Sequence, residues 1–316
     1  MLRILFKILF YNLQMARFYY ALYIFLMISC VGREDKVQEA SVKRPTVAVV
    51  NYPLYYFAKT IGGDFISVYL PAIEGDPAYW KPDTKQVINF QNAALILDNG
   101  AGYAKWMEKV SLPSSKIVNT SMSFKDQWIE TDEGITHSHG PEGEHVHQGT
   151  AFTTWLNFKF ALKQAASVHQ ALKNILPEHT DQINQNYNQL KNSLGDYDKR
   201  MEAIASALNG QLLIASHSVY QYLEQGYGLN LLSEHWEPDN MPTKEQWEAV
   251  EKVIRDHKVN IMIWEDAPIQ EIESKLVDLE ITIVVFRPCA NRPETGDFMN
   301  IMNENLLHAE RVINSF

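Results

Sequence analysis

Between residues 183 and 208 the apolar side chains Ile183, Tyr187, Leu190, Leu194, Tyr197, Met201, Ile204 and Leu208 recur at alternating spacings of four and three. That period places them on one stripe of an α-helix. At 1.5 Å per residue the helix would run about 39 Å, longer than a single small lobe needs. Two uses fit so long a stripe: a coiled-coil partner, or a strut packed across two bodies of the same chain. The flanking sequence favours the strut, because an α/β pattern precedes it and another follows.

On the N-terminal side, VAVVN (47–51) reads as a buried strand, followed by a short helix closed by Gly62 and Gly63. ISVYL (66–70), ALILDNG (94–100) and residues 116–119 read as further strands, with a helix over 84–93. On the C-terminal side, LLIAS (212–216), VNIMIWED (259–266) and ITIVVF (281–286) are strands, and helices are expected at 243–257, 269–279 and 297–315. A further helix is expected over 157–175. VAVVNYPLYYFAKTIGG and LLIASHSVYQYLEQGYG share one plan of strand, polar turn, aromatic helix and glycine, and AALILDNG parallels VNIMIWED. The expected fold is α/β: two lobes with mainly parallel sheets, one long rigid helix joining them and a ligand cleft between them.

The first thirty residues carry Arg3, Lys7 and Arg17 and no acidic residue, so the remainder is more acidic than the chain as a whole, whose formal net charge is −10. The apolar run 18–28 is short for a membrane span and follows a basic residue, as a signal peptide does. Met15 is an alternative start. Met27-Ile28-Ser29-Cys30 resembles a bacterial lipobox, with Cys30 the lipidated residue. The expected organisation is a signal peptide at 1–29 and a lipidated N terminus and tether at 30–44. An N-terminal lobe at 45–153, a helical segment at 154–209 and a C-terminal lobe at 210–316 follow. Such a protein lies outside the cytoplasm, anchored to a bacterial membrane by lipid; the alternative is an uncleaved N-terminal anchor with an incidental Cys30, which also leaves the body outside the cytoplasm. Cys30 and Cys289 are the only cysteines, which excludes a disulfide framework and a four-thiolate zinc site. The basic residues are unclustered, so no nucleic-acid footprint is present.

Parallel sheets bind ligands beyond the carboxyl ends of their strands. Those ends carry Asn51, Tyr52, Asp98, Asn99, His217, Glu265, Asp266 and Arg287. His217 suits metal ligation through a neutral ring nitrogen, or alternatively a cap or backbone contact. Glu265 offers a hard oxygen donor, while Asp266, before Ala267-Pro268, is expected to cap the next helix. Within the polar stretch 120–150, expected to be a long loop, lies THSHGPEGEHVHQG with His137, His139, His145 and His147. Four imidazoles in eleven residues point to metal, and alternating pairs share one side where the backbone is extended. The metal-protease, hydrolase, phosphate-loop and dinucleotide signatures HExxH, GxSxG, P-loop and glycine-rich turn are all missing, so an enzyme is not expected.

From about Val47 onward the chain resembles the zinc and manganese substrate-binding lipoproteins of bacterial ABC importers. The resemblance rests on VVNYPLYYFAKTIGGDFISVYLPAIEGDPAYWKPDTKQV, ILDNGAGYAKWMEK, TTWLNFKFA, IASHSVYQYLEQGYGL and TGDFMNIMNENL. It implies a monomeric carrier that captures a divalent metal, zinc before manganese, and delivers it to an ABC permease with its ATPase. It also implies four ligands, of which one matches. The family's first histidine falls at Ala78 in GDPAYWKP, its second at Thr153 in TTWLNF, and its acidic ligand at Arg287 in VFRPCA; the third is His217 in ASHS. Three accounts stay open. The site is rebuilt from His217, Glu265 and the loop histidines, with Arg287 paired to Glu265. Or the cleft holds an anion or organic ligand through Arg287, Tyr79 and Trp80. Or the loop alone scavenges metal.

Overall fold

The computed structural model describes residues 44–314 apart from 74, 76–79 and 139–143, together with Met15; for 132–148 it describes backbone only. Residues 44–316 form one compact unit. Cys30, the expected lipidation site, and the expected signal segment lie outside the described residues, as do Ala78 and Tyr79. Among the described residues no helix is long and apolar enough to cross a membrane.

The first sheet contains β1 (Thr46–Val49), β2 (Ser67–Tyr69), β3 (Leu95–Asp98) and β4 (Ile117–Asn119), all parallel, in the order β2-β1-β3-β4. Helices α1 (Tyr52–Gly62) and α2 (Thr84–Asn92) connect them, each started by a side-chain cap, Asn51 and Asp83 respectively. Next come β5 (Glu130–Ser138) and β6 (Glu144–Thr150), then α3 (Phe158–Ile175) and α4 (Thr180–Leu208). The second sheet holds β7 (Leu212–Ala215), β8 (Asn230–Ser233), β9 (Ile261–Trp264) and β10 (Thr282–Val285), also all parallel, in the order β10-β9-β7-β8. Counted from its own first strand, this is the order of the first sheet. The two lobes therefore repeat one topology, as the paired sequence patterns predict. Helices α5 (Gln221–Tyr227), α6 (Lys244–His257), α7 (Gln270–Asp278) and α8 (Phe298–Ile313) complete the C-terminal lobe.

Helix α4 is the strut. Ile183, Leu190, Leu194, Met201 and Ile204 are buried along it, and Tyr187, Tyr197 and Leu208 pack against the same core. At its N-terminal end Asn186 donates to the Ile61 carbonyl of α1 at 3.1 Å. Toward its C-terminal end Arg200 grips Glu310 of α8 through Nε and a second guanidinium nitrogen, at 2.7 and 2.9 Å. One helix thus holds both lobes, and its regular stripe needs no coiled-coil partner. The lobes also bond directly: Trp155 Nε1 donates to Pro288 O at 2.7 Å, Tyr52 N to Ala290 O at 2.9 Å and Thr153 Oγ1 to Val219 O at 2.6 Å.

Two expectations change. The stretch 120–150 is not a structureless loop: β5 and β6 pair as an antiparallel ribbon, with His137 opposite His145 and Ile135 opposite His147. Its base is fixed by Ala151 N donating to Ile129 O and by Ile129 N donating to Tyr222 Oη at 3.2 Å, which ties the ribbon to α5. Strand β8 was not expected at all. Its sequence, NLLS, is short, largely exposed and without alternation.

Candidate metal centre

The carboxyl ends of the first sheet are filled by the protein itself. Asn51 donates to Asn99 Oδ1 at 3.1 Å, and Gln164 of α3 donates to the same oxygen and to Thr120 Oγ1, each at 3.1 Å. Asn99 donates in turn to the Phe152 carbonyl at 3.0 Å. All four polar residues are buried. A buried amide network closed on itself stabilises the lobe and leaves little capacity for a ligand.

The second sheet ends differently. Three neighbouring strands, β9, β7 and β8, finish side by side, and their ladder continues past them. Ser216 N bonds to Ile263 O, Glu234 N to Ala215 O and Trp236 N to Ser216 O, each at 2.8 Å. These bonds carry the loop after β8 alongside the turn after β7. They bring together His217, Glu237 and Glu265, one donor atom of each lying within 4.8 Å of the others. His217 Nδ1 is 3.1 Å from Glu265 Oε1 and 3.9 Å from Glu237 Oε1. Ligand atoms about 2.1 Å from a tetrahedral zinc stand roughly 3.4 Å apart, midway between those separations. The imidazole forms the floor, 4% exposed, and the carboxylates form the mouth, 24% and 22% exposed for Glu237 and Glu265.

The backbone holding the carboxylates is rigid for a reason visible in the sequence. Each glutamate follows a tryptophan, Trp236 or Trp264, and both indoles are buried. Trp236 packs 4.6 Å from Trp247 and 6.2 Å from Trp264 between ring centroids. Alternation along an extended chain turns the residue after a core tryptophan out of the core. Two carboxylates facing one imidazole repel each other unless a cation or proton is shared, and a divalent ion neutralises both.

Of the residues expected at the site, His217 and Glu265 are adjacent. Glu237 was missed; without β8 there was no reason to place the EHWE segment at a strand end. Arg287 does not pair with Glu265. Its Nε donates to Asp266 Oδ1 at 2.9 Å, and a terminal nitrogen lies 3.5 Å from Glu304. Asp266 does not cap a helix either: α7 begins only at Gln270, after Ile269, and Asp266 accepts from Ala267 N and from Arg287. Trp80 packs edge-on against Trp106 at 5.7 Å in the N-terminal lobe, where its indole adds to the core. Tyr79 and His139 lie outside the described residues, as do the side chains of His137, His145 and His147.

The cleft between the lobes is lined by Phe152 and Thr153 on one side and by residues of the C-terminal lobe on the other. Its charged lining comprises Glu265, Asp266, Glu294 and Glu304 against Arg287 and Arg292. Both cations are engaged, Arg287 with the two carboxylates and Arg292 over the Tyr55 ring at 4.4 Å. Such a lining favours a cation over an anion. Thr153, where the resemblance places a histidine ligand, is 4% exposed and donates across the lobes to Val219.

Two parallel sheets of one topology, a helix bridging them and a ligand site at strand ends define a two-lobed binding protein. The family model described as Zinc-uptake complex component A periplasmic, ZnuA, matches residues 47–310, and the chain belongs to that family. It is 23% identical over 268 residues to the zinc-binding lipoprotein AdcA of Streptococcus pneumoniae (strain ATCC BAA-255 / R6), covering 81% of this chain and 53% of AdcA. The chain thus spans about half the length of that curated relative. It is also 23% identical over 266 residues to the high-affinity zinc uptake system protein ZnuA of Bacillus subtilis, covering 80% of this chain and 81% of the relative. Among solved structures, the Zn(II)-bound ZnuA-like domain of Streptococcus pneumoniae AdcA superposes with a TM-score of 0.70 at 18% identity, covering 86% of this chain and 98% of that one.

Proposed function

We propose that the protein is the extracytoplasmic metal-capturing component of a zinc ABC importer, lipid-anchored through Cys30, and that it binds the ion at His217, Glu237 and Glu265. The observation that carries this is the convergence of one nitrogen and two oxygen donors within 4.8 Å at the ends of three adjacent strands. Imidazole with carboxylate suits zinc, whereas manganese prefers an all-oxygen octahedron. The relatives' names, a zinc-binding lipoprotein and a zinc uptake protein, support the same ion. Bound metal is cargo in this reading, passed to a membrane permease driven by an ATPase, and no catalytic step is assigned. The ribbon histidines fit a collecting role. Residues 137, 145 and 147 belong to one face of the ribbon by its register. The ribbon ends two residues before Phe152 and Thr153, at the rim of the cleft.

A zinc titration of residues 31–316 tests the reading, run beside His217→Ala and beside a variant with His137, His139, His145 and His147 replaced by alanine. Tight one-to-one binding that collapses in His217→Ala supports it. Binding that survives His217→Ala and vanishes with the ribbon histidines would overturn it in favour of a ribbon that scavenges metal by itself.

A further inference from the structure

Structural zinc sites take four protein ligands, and His217, Glu237 and Glu265 supply three. A second imidazole stands beside them. The ring of His235 lies 6.2 Å from that of His217 between centroids, with the planes at 89°. Its backbone position is fixed by the flanking bonds of Glu234 and Trp236 to β7 and to Ser216. Trp236 is buried in the tryptophan cluster. Residues on either side of an inward-facing position in an extended segment share the opposite side, so His235 and Glu237 stand together on the side of the metal group. His235 differs from His217 in exposure: it lies at the surface, whereas His217 is 3% exposed.

We propose that His235 supplies the fourth donor, closing a two-imidazole, two-carboxylate site built wholly from the C-terminal lobe. Being exposed, it is also the donor that meets an incoming ion first. An imidazole turns about two side-chain bonds, so it can bind a partly hydrated ion from solvent and then swing inward as Glu237 and Glu265 replace the remaining water. The inference rests on the reading of His217, Glu237 and Glu265 as metal donors, and it adds a residue that none of the family's matched ligand positions contains.

Cobalt(II) tests it, because four-coordinate tetrahedral cobalt absorbs visible light strongly whereas five- and six-coordinate cobalt absorbs weakly. The titration uses residues 31–316 with His137, His139, His145 and His147 replaced by alanine, so that only the lobe site reports. In that background the expected result is intense tetrahedral bands at one equivalent. His235→Ala and His235→Gln should each lose most of that intensity and weaken cobalt and zinc affinity about 100-fold or more, beyond the 10–100-fold of residues that only support ligands. His217→Ala should abolish binding. Unchanged bands and affinity in both His235 variants would overturn the role of His235 while leaving the three-donor site standing. No cobalt or zinc binding in the parent background would overturn the three-donor reading itself, and His235 with it.

Discussion

Arg287 donates from Nε to the Asp266 carboxylate at 2.9 Å, while Glu265, one residue earlier, turns to His217 at 3.1 Å. Two consecutive carboxylates after β9 are thus divided between a guanidinium and an imidazole. Arg287 falls where the resemblance places an acidic ligand, yet its charge is directed at Asp266 and Glu304 and not at His217, Glu237 and Glu265. Arg287→Ala is therefore expected to leave zinc binding intact and to tighten it a few-fold, about 0.5–1 kcal/mol, the ordinary size of an exposed charge interaction. Calorimetric titration at low and high salt checks this, and the gain should shrink in salt. A large loss of affinity would mean that Arg287 orients the site.

Glu237→Gln removes one of two neighbouring carboxylates. In the metal-free protein this relieves like-charge repulsion and should raise thermal stability slightly. In zinc it should cost about 100-fold or more in affinity, beyond the 10–100-fold seen for residues that only support ligands. The two signs together distinguish a ligand from a residue that merely holds the fold. Metal-free melting and a competitive zinc titration measure them, and a variant destabilised without metal would contradict the assignment.

Zinc should stabilise the folded chain by mass action. At a free concentration about 100 times the dissociation constant the gain is about 2.7 kcal/mol, or roughly 5–10 °C in a domain of this size. A chelator should reverse the shift, and His217→Ala should lack it. A melting temperature indifferent to zinc in the unmodified protein would exclude a preformed site.

Alkaline pH probes the core independently of metal. Burial pushes the Tyr222 phenol up to about 12, and burial with the neighbouring Cys289 does the same for Tyr52. Burial also raises Tyr227, with Asp198 accepting its proton at 2.8 Å, and raises Tyr220. In the unfolded chain these phenols ionise near pH 10. Between pH 10 and 12 the unfolded state therefore binds fewer protons than the folded state, so stability falls as pH rises. Tyr52 and Tyr222 together should cost about 2–3 kcal/mol by pH 11. Urea midpoints at pH 8, 10 and 11, with phenolate absorbance followed in parallel, test this. Native titration of these phenols near pH 10 would refute it.

What was legible in the sequence followed from strong periodicity. The stripe from Ile183 to Leu208 appears as α4, and the strands VAVVN and LLIAS occupy equivalent places in sheets of the same order. His217 and Glu265 were readable because each follows an apolar strand. Glu237 was not, because NLLS is an edge strand with exposed positions, and only its pairing with β7 brings EHWE to the site. The ribbon was hidden for a related reason. Its residues are polar throughout, and backbone pairing, not a hydrophobic pattern, makes them strands. For Asp266, a capping aspartate and an ion-paired one look alike in sequence until the partner, Arg287, some twenty residues later, is placed.

The direct bonds between the lobes bear on how fast an ion can be exchanged. Thr153 to Val219, Trp155 to Pro288 and Tyr52 to Ala290 join the two halves beside the cleft, while His217, Glu237 and Glu265 all sit on one half. Loading such a centre requires no hinge movement on the microsecond-to-millisecond scale. It requires rotamer changes, which take pico- to nanoseconds in exposed side chains, and the making and breaking of metal bonds. Residence time would then be a property of coordination chemistry, and hand-over to a downstream acceptor could proceed by ligand exchange, one donor at a time.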